Sequence, residues 1–173
     1  MTGDSAMKVL FTYRTVTVNT KKVIDAMYNE VQAEKELKSW SETESLAGYD
    51  LTFVGFPIEM LGPGPETKEW LAQYVKGQRI VLVITHGSLD DAPPLQEWLQ
   101  KCRDAAASAE IVGLFHCKGD MSEQLIAGMK QSDNPQFAEW GRRAEQAPRG
   151  FPDAESLKRA AAFAAEITGK ETA

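Results

Sequence analysis

Residues 7–22 read Met-Lys-Val-Leu-Phe-Thr-Tyr-Arg-Thr-Val-Thr-Val-Asn-Thr-Lys-Lys. The stretch opens on an apolar run, Val9-Leu10-Phe11, passes through the hydroxyls of Thr12, Thr15 and Thr17, and reaches Asn19-Thr20, where a helical pattern starts. The order is strand, turn, helix N-terminus. A helix N-terminus leaves its first backbone N–H groups unpaired and carries a partial positive charge. Hydroxyls and N–H groups gathered in such a turn make a site for an anion such as a phosphate. The plainer alternative is capping, since Thr and Asn also cap helices with no ligand present.

Working outward, the first strand covers residues 8–13. A helix is expected over about 20–33, with Val23, Met27 and Val31 on one apolar stripe and Ile24 and Tyr28 beside it. Residues 34–47 are mostly polar and hold at most a short edge strand over 37–40. A second apolar strand, 51–56, stops at Pro57. Residues 57–64, Pro-Ile-Glu-Met-Leu-Gly-Pro-Gly, form a loop rich in breakers. A helix over about 65–75 carries Trp70, Leu71 and Tyr74, with Gly77 as its stop. The next strand, 79–85, is Ile-Val-Leu-Val-Ile at its centre, which reads as burial on both faces in a parallel sheet. It leads into His86-Gly87-Ser88. A helix over about 94–109 and a strand over 110–115 follow, then His116-Cys117-Lys118-Gly119. Short helices are expected over 122–129, capped by Ser122, and over 137–145. A last helix starts after Asp153 and runs to about Ile167, before Gly169.

Strands alternating with helices predict an open, doubly wound α/β sheet. Ligands bind such sheets beyond the C-terminal ends of the strands. Those ends are the loops at 14–20, 57–64 and 85–89, with a fourth at 116–120.

The 173 residues suit one domain, spanning 1–173 with its core over about 7–168. A net charge of -6 argues against a general nucleic-acid binder and suits a basic protein partner. No apolar run reaches the length of a membrane helix. The polar stretch at 1–6 has no signal core, and the two cysteines, Cys102 and Cys117, are far apart, which together suit a reducing cytoplasm.

The chain resembles the flavodoxin family. Thr15-Val16-Thr17-Val18-Asn19-Thr20, directly after the first strand, looks like the family's phosphate loop, a Ser/Thr-x-Thr-Gly-Asn-Thr pattern. Residues 50–58 resemble its third strand and the start of a loop that flanks the flavin. Ile80 to Ile84 with Thr85-His86-Gly87 resembles its fourth strand and second flanking loop. The resemblance implies a three-layer α/β sandwich, a five-stranded parallel sheet of order 2-1-3-4-5, and flavin mononucleotide (FMN) as cofactor. It implies a phosphate held by Thr15, Val16, Thr17, Val18, Asn19 and Thr20. The flavin ring would lie between Pro57, Ile58, Glu59, Met60, Leu61 and Gly62 on one side and Thr85, His86, Gly87 and Ser88 on the other, with Cys117 nearby.

The chain departs from the family pattern in two places. The family's phosphate-loop glycine is Val18 here, and a β-branched residue is strained at positive φ. So this loop either holds Val18 at negative φ or binds phosphate less well. The ring-stacking aromatic of many relatives is replaced by Ile58, Glu59, Met60 and Leu61. His86, His116 and Cys117 end neighbouring strands, yet no acidic ligand or metal spacing accompanies them. Arg14 is either a solvent-facing turn residue or a phosphate partner.

The resemblance implies an FMN-binding electron carrier that serves redox partner proteins, its acidic surface docking a basic one. One alternative is a reductase of the same fold that takes hydride from NAD(P)H, although no G-x-G-x-x-G is present. The other is a cofactor-free accessory or binding protein, the reading that Val18 raises. A response-regulator receiver needs paired acids after the first strand, where Thr12-Tyr13-Arg14 stands instead.

Overall fold

The structure is a computed structural model that describes residues 6–59, 61–88 and 92–172. Met60 and Leu89, both in expected site loops, lie outside the described residues. The chain runs β1 (Lys8–Tyr13), α1 (Asn19–Glu30), β2 (Glu34–Ser39), β3 (Leu51–Pro57), α2 (Pro65–Tyr74), β4 (Arg79–His86), α3 (Pro93–Ala105), β5 (Glu110–Lys118), α4 (Glu123–Lys130), α5 (Pro135–Gln146) and α6 (Ala154–Thr172). A 3-10 turn at Trp40–Glu42 follows β2. The five strands form one parallel sheet of order β2-β1-β3-β4-β5. This is the expected three-layer sandwich.

The central strands divide their side chains between two cores, as period-two alternation requires. Val9, Phe11, Phe53, Val81 and Val83 meet Val23, Ile24 and Met27 of α1 and Ala160, Ala164 and Ile167 of α6. Leu10, Val54, Phe56, Ile80, Leu82 and Ile84 meet Trp70 and Leu71 of α2 and Leu95, Leu99 and Cys102 of α3. Phe11 stacks on Phe53 at 4.5 Å, and Trp40 stacks on Trp70 at 4.2 Å. Each such buried side chain contributes about 1.5–3 kcal/mol. Burial in the second core pushes the Cys102 thiol up to about 12, so it packs as a small hydrophobe.

Several boundaries differ from the sequence reading. β2 is a full six-residue strand, Glu34–Ser39, because it pairs along its whole length with β1. Its polar composition reflects an edge position, and its Lys35 caps the end of α1 by donating to the carbonyls of Tyr28 and Val31 (2.6 and 2.8 Å). β5 runs on through His116, Cys117 and Lys118, which pair with Ile84, Thr85 and His86. α3 stops at Ala105, short of Ala109, and α6 continues through Gly169.

Gly55 lets α1 sit directly on β3. A Cβ there would lie 2.8 Å from Ile24 Cγ1 and 3.0 Å from Thr20 Cγ2. Gly55→Ala should therefore push α1 off the sheet and cost about 1–3 kcal/mol. The melting temperature should fall by about 2–4 °C per kcal/mol in a chain of this size. An unchanged melting curve would show that the helix–sheet contact has slack.

Candidate functional site

The C-terminal strand ends gather at one edge of the sheet, and three loops there are bonded into one unit. The Arg14 N–H donates to Gly55 O (2.9 Å) and the Ile58 N–H to Thr85 O (2.8 Å). The hydroxyls of Thr20 and Thr85 share a buried hydrogen bond of 2.8 Å. The turn after β1, the loop after β3 and the loop after β4 are thus held in register with one another.

In the first turn Val18 is the N-cap of α1 and adopts a left-handed backbone, φ 62° and ψ -4°. The chain keeps the backbone form that glycine favours, at a cost of about 1–2 kcal/mol for an L side chain. No packing explains this, since Val18 is 54% exposed and Val16 60%. No side chain caps the helix and no acidic residue stands in its first turn, so its opening N–H groups have no competing anion within it. Thr15 Oγ1 is buried with no hydrogen-bond partner among the described residues. Trp40 Nε1, Thr67 Oγ1 and Trp70 Nε1 share that condition on the α2 side. A buried hydroxyl without a partner carries a desolvation cost, which a bound acceptor removes.

Not every expected residue in the turn is available to a ligand. Thr20 is buried, and its hydroxyl shares a hydrogen bond with Thr85 in which either can donate. Asn19 donates one amide hydrogen to Thr17 Oγ1 (3.0 Å) and the other to the carbonyl of Asp120 (2.8 Å). Arg14 pairs with the carboxylates of Glu59 (2.8 Å) and Glu66 (2.9 Å). Lys21 pairs with Asp25 at 2.7 Å, and that hydrogen bond holds its pKa above the ordinary lysine value.

The first flanking loop closes in a tight turn: the Glu59 N–H donates to Gly62 O (2.8 Å) and the Gly62 N–H to Glu59 O (3.2 Å). Leu61 within it has φ 64°. Among the described residues, Val18 and Leu61 are the non-glycine residues at positive φ, one in each of two site loops. Strained backbone of this kind concentrates at ligand clamps. Pro57 and Ile58 are half-buried, and Ile58 packs on the second core.

At the end of β4, His86 is buried, with Nδ1 3.1 Å from the Ser88 carbonyl and Nε2 3.0 Å from His116 Nδ1. The carbonyl can only accept, so His86 Nδ1 carries hydrogen and, in a neutral ring, Nε2 accepts from His116. Cys117 is fully buried in the core on the α1–α6 side, paired in register with Thr85.

Sequence reasoning passed over Asp120. Its backbone N–H donates to Phe151 O (2.8 Å), and its carboxylate accepts from the N–H groups of Gly150 (2.8 Å) and Phe151 (3.1 Å). Burial pushes this carboxyl up, but those N–H groups together with Arg149 and Lys118 outweigh it and hold it below its usual value. The signal was present in the chain: Gly119-Asp120 directly follows a strand at the binding edge. The helices α4 and α5 bound an open cleft of about 500 Å³ lined by Leu125, Gly128, Met129 and Phe137. No helix among the described residues is long and apolar enough to cross a membrane.

In comparison with known proteins, a family model, the flavodoxin domain, matches residues 10–165. A flavodoxin-like domain-containing protein, BilS of Clostridioides difficile (strain CD3), is 26% identical over 168 residues, covering 91% of this chain and 94% of that protein. Among solved structures, a flavodoxin from the domain Archaea aligns with a TM-score of 0.58 at 15% identity, covering 96% of this chain and 100% of the other. A Streptococcus pneumonia TIGR4 flavodoxin aligns at 0.59 and 13% identity, covering 94% and 99%.

The left-handed Val18 yields a direct prediction. Val18→Gly should leave the apo protein as stable or stabilise it by up to about 1 kcal/mol, because relief of strain outweighs the added freedom of the unfolded chain. Urea unfolding measures this; a clear loss of stability would mean that Val18 makes contacts worth more than its strain.

Proposed function

The chain belongs to the flavodoxin family, and from that premise we propose that it binds FMN and carries electrons between protein partners. The observation that carries this reading is the turn after β1: an uncapped helix start, a left-handed Val18 and a buried Thr15 hydroxyl without a partner among the described residues. These fit a phosphate dianion, which accepts hydrogen bonds and favours a helix N-terminus. The phosphate would be held by backbone N–H groups of residues 16–20 and the hydroxyls of Thr15 and Thr17. The ring would lie between loops 57–62 and 85–88. When bound, FMN supplies one- and two-electron redox chemistry, while the protein supplies binding, orientation and electrostatics.

Each neighbouring group has a definable effect. Glu59 is paired with Arg14, so it presents a dipole to its surroundings in place of a lone carboxylate. The Thr20–Thr85 and Ile58–Thr85 bonds hold phosphate and ring loops in one frame, which would limit how far this chain rearranges around a bound flavin. The hydrogen bond between His86 and His116 ties the second flanking loop to the end of β5. The net charge of -6 favours a weakly docked, basic redox partner. Two buried thiols with no disulfide between them suit a reducing cytoplasm. A cofactor-free binding role gives no reason to hold Val18 and Leu61 at positive φ.

An absorbance spectrum of the purified protein, followed by FMN titration, tests the proposal. Wild type should show flavin bands or take FMN up. Thr15→Val, which removes an unsatisfied hydroxyl, should fold as stably as wild type and lose about tenfold in FMN affinity, or ~1.4 kcal/mol. Absence of uptake by wild type would sink the redox reading. Bleaching of the bands by NADPH alone would turn it toward a reductase.

A further inference from the structure

We infer that Asp120 is a positioning residue for the phosphate loop, holding Val18 in its left-handed state by way of Asn19. The inference rests on the FMN reading for its ligand, and on the geometry alone for the coupling. Val18 has no side-chain cap and is mostly exposed, so packing does not keep it at φ 62°. Two restraints adjoin it. The Lys22 N–H donates to the Val18 carbonyl at 3.0 Å, as the first bond of α1. The next residue, Asn19, is gripped through both amide hydrogens, by Thr17 Oγ1 and by the Asp120 carbonyl.

The far end of that grip is rigid. The Asp120 main chain is held by its own N–H on Phe151 O, and its carboxylate is held by the N–H groups of Gly150 and Phe151. Arg149 lies 3.7 Å from that carboxylate and donates to the Met121 carbonyl at 3.1 Å. The preceding Gly119 donates its N–H to His86 O at 2.8 Å. There is no slack on the Asn19 side: a Cβ on Gly119 would lie 2.6 Å from Asn19 Nδ2. On the other side a Cβ on Gly87 would lie 2.8 Å from Met121. Residues 119–121 are thus wedged between the phosphate loop and the second flanking loop.

With both amide hydrogens spent, Asn19 offers no side-chain N–H to an anion. Its contribution is to fix the loop. Glycine at position 18 adopts the left-handed state unaided; valine needs the restraint. The dependence on Asp120 is therefore a consequence of Val18 and should vanish with it.

The test is a double-mutant cycle of Asp120→Ala and Val18→Gly, read by fluorescence titration with FMN and with riboflavin, which lacks the phosphate. Asp120→Ala should weaken FMN about tenfold when residue 18 is valine and less than about threefold in the Val18→Gly background. Riboflavin affinity should be the same in all four proteins. Asp120→Asn keeps an acceptor oxygen and should recover part of the loss; it also serves if the alanine variant fails to fold. Equal losses in both backgrounds, or an equal loss for riboflavin, would overturn the inference. Hydrogen exchange at the Lys22 amide of the apo protein needs no cofactor: Asp120→Ala should quicken it only when residue 18 is valine, and unchanged exchange would overturn the clamp. Failure of wild type to bind FMN, with exchange behaving as stated, would overturn the functional reading and leave the coupling standing.

Discussion

A β-branched residue held at φ 62° is the constraint from which the site follows. Valine in that region is disfavoured by about 1–2 kcal/mol, so the turn after β1 keeps its shape only while something restrains it. The restraint reaches across the sheet edge, through Asn19, to a loop more than a hundred residues away. The turn in exchange starts α1 without a side-chain cap and leaves a buried threonine hydroxyl with no partner among the described residues. An anion at that point would relieve both deficits.

The parallel sheet makes this arrangement possible. All five strands deliver their C-terminal ends to one edge, and the central three are buried on both faces, so that edge is rigid. Short bonds between loops, Ile58 to Thr85 and Thr20 to Thr85, carry that rigidity past the strand ends. The same logic explains why strain is tolerated at Val18 and Leu61: each sits in a turn closed by hydrogen bonds on both sides of a fixed frame.

Much of this was legible in the chain. The apolar runs of β1, β3 and β4, separated by helical stripes, gave the layer architecture, and the Thr-rich turn marked the binding edge. β2 was understated because Glu34–Ser39 is mostly polar: an edge strand is specified by its partner more than by its own hydrophobicity. The end of β5 was missed because His116, Cys117 and Lys118 do not look like a strand, although pairing with β4 makes them one. Asn19 was legible as a member of the loop, but its partner was not: the Asn19–Asp120 bond joins residues distant in sequence and uses a backbone carbonyl, which no side-chain pattern reveals. The replacement of Gly by Val18 was visible, whereas the outcome was not, because tertiary restraint decided between negative and positive φ.

The restrained turn also separates this site from a generic apolar cleft. A flavin held mainly by its ring would depend on aromatic cover, and the described part of the 57–62 loop offers Ile58 and Leu61 instead. An FMN bound here would therefore draw most of its affinity from the phosphate end. The most direct test is the ratio of dissociation constants for FMN and riboflavin on the wild-type apoprotein, measured by calorimetry in phosphate-free buffer. FMN should bind at least about a hundredfold more tightly, about 2.7 kcal/mol. Equal affinities, or no binding of either, would contradict a phosphate site in the turn after β1.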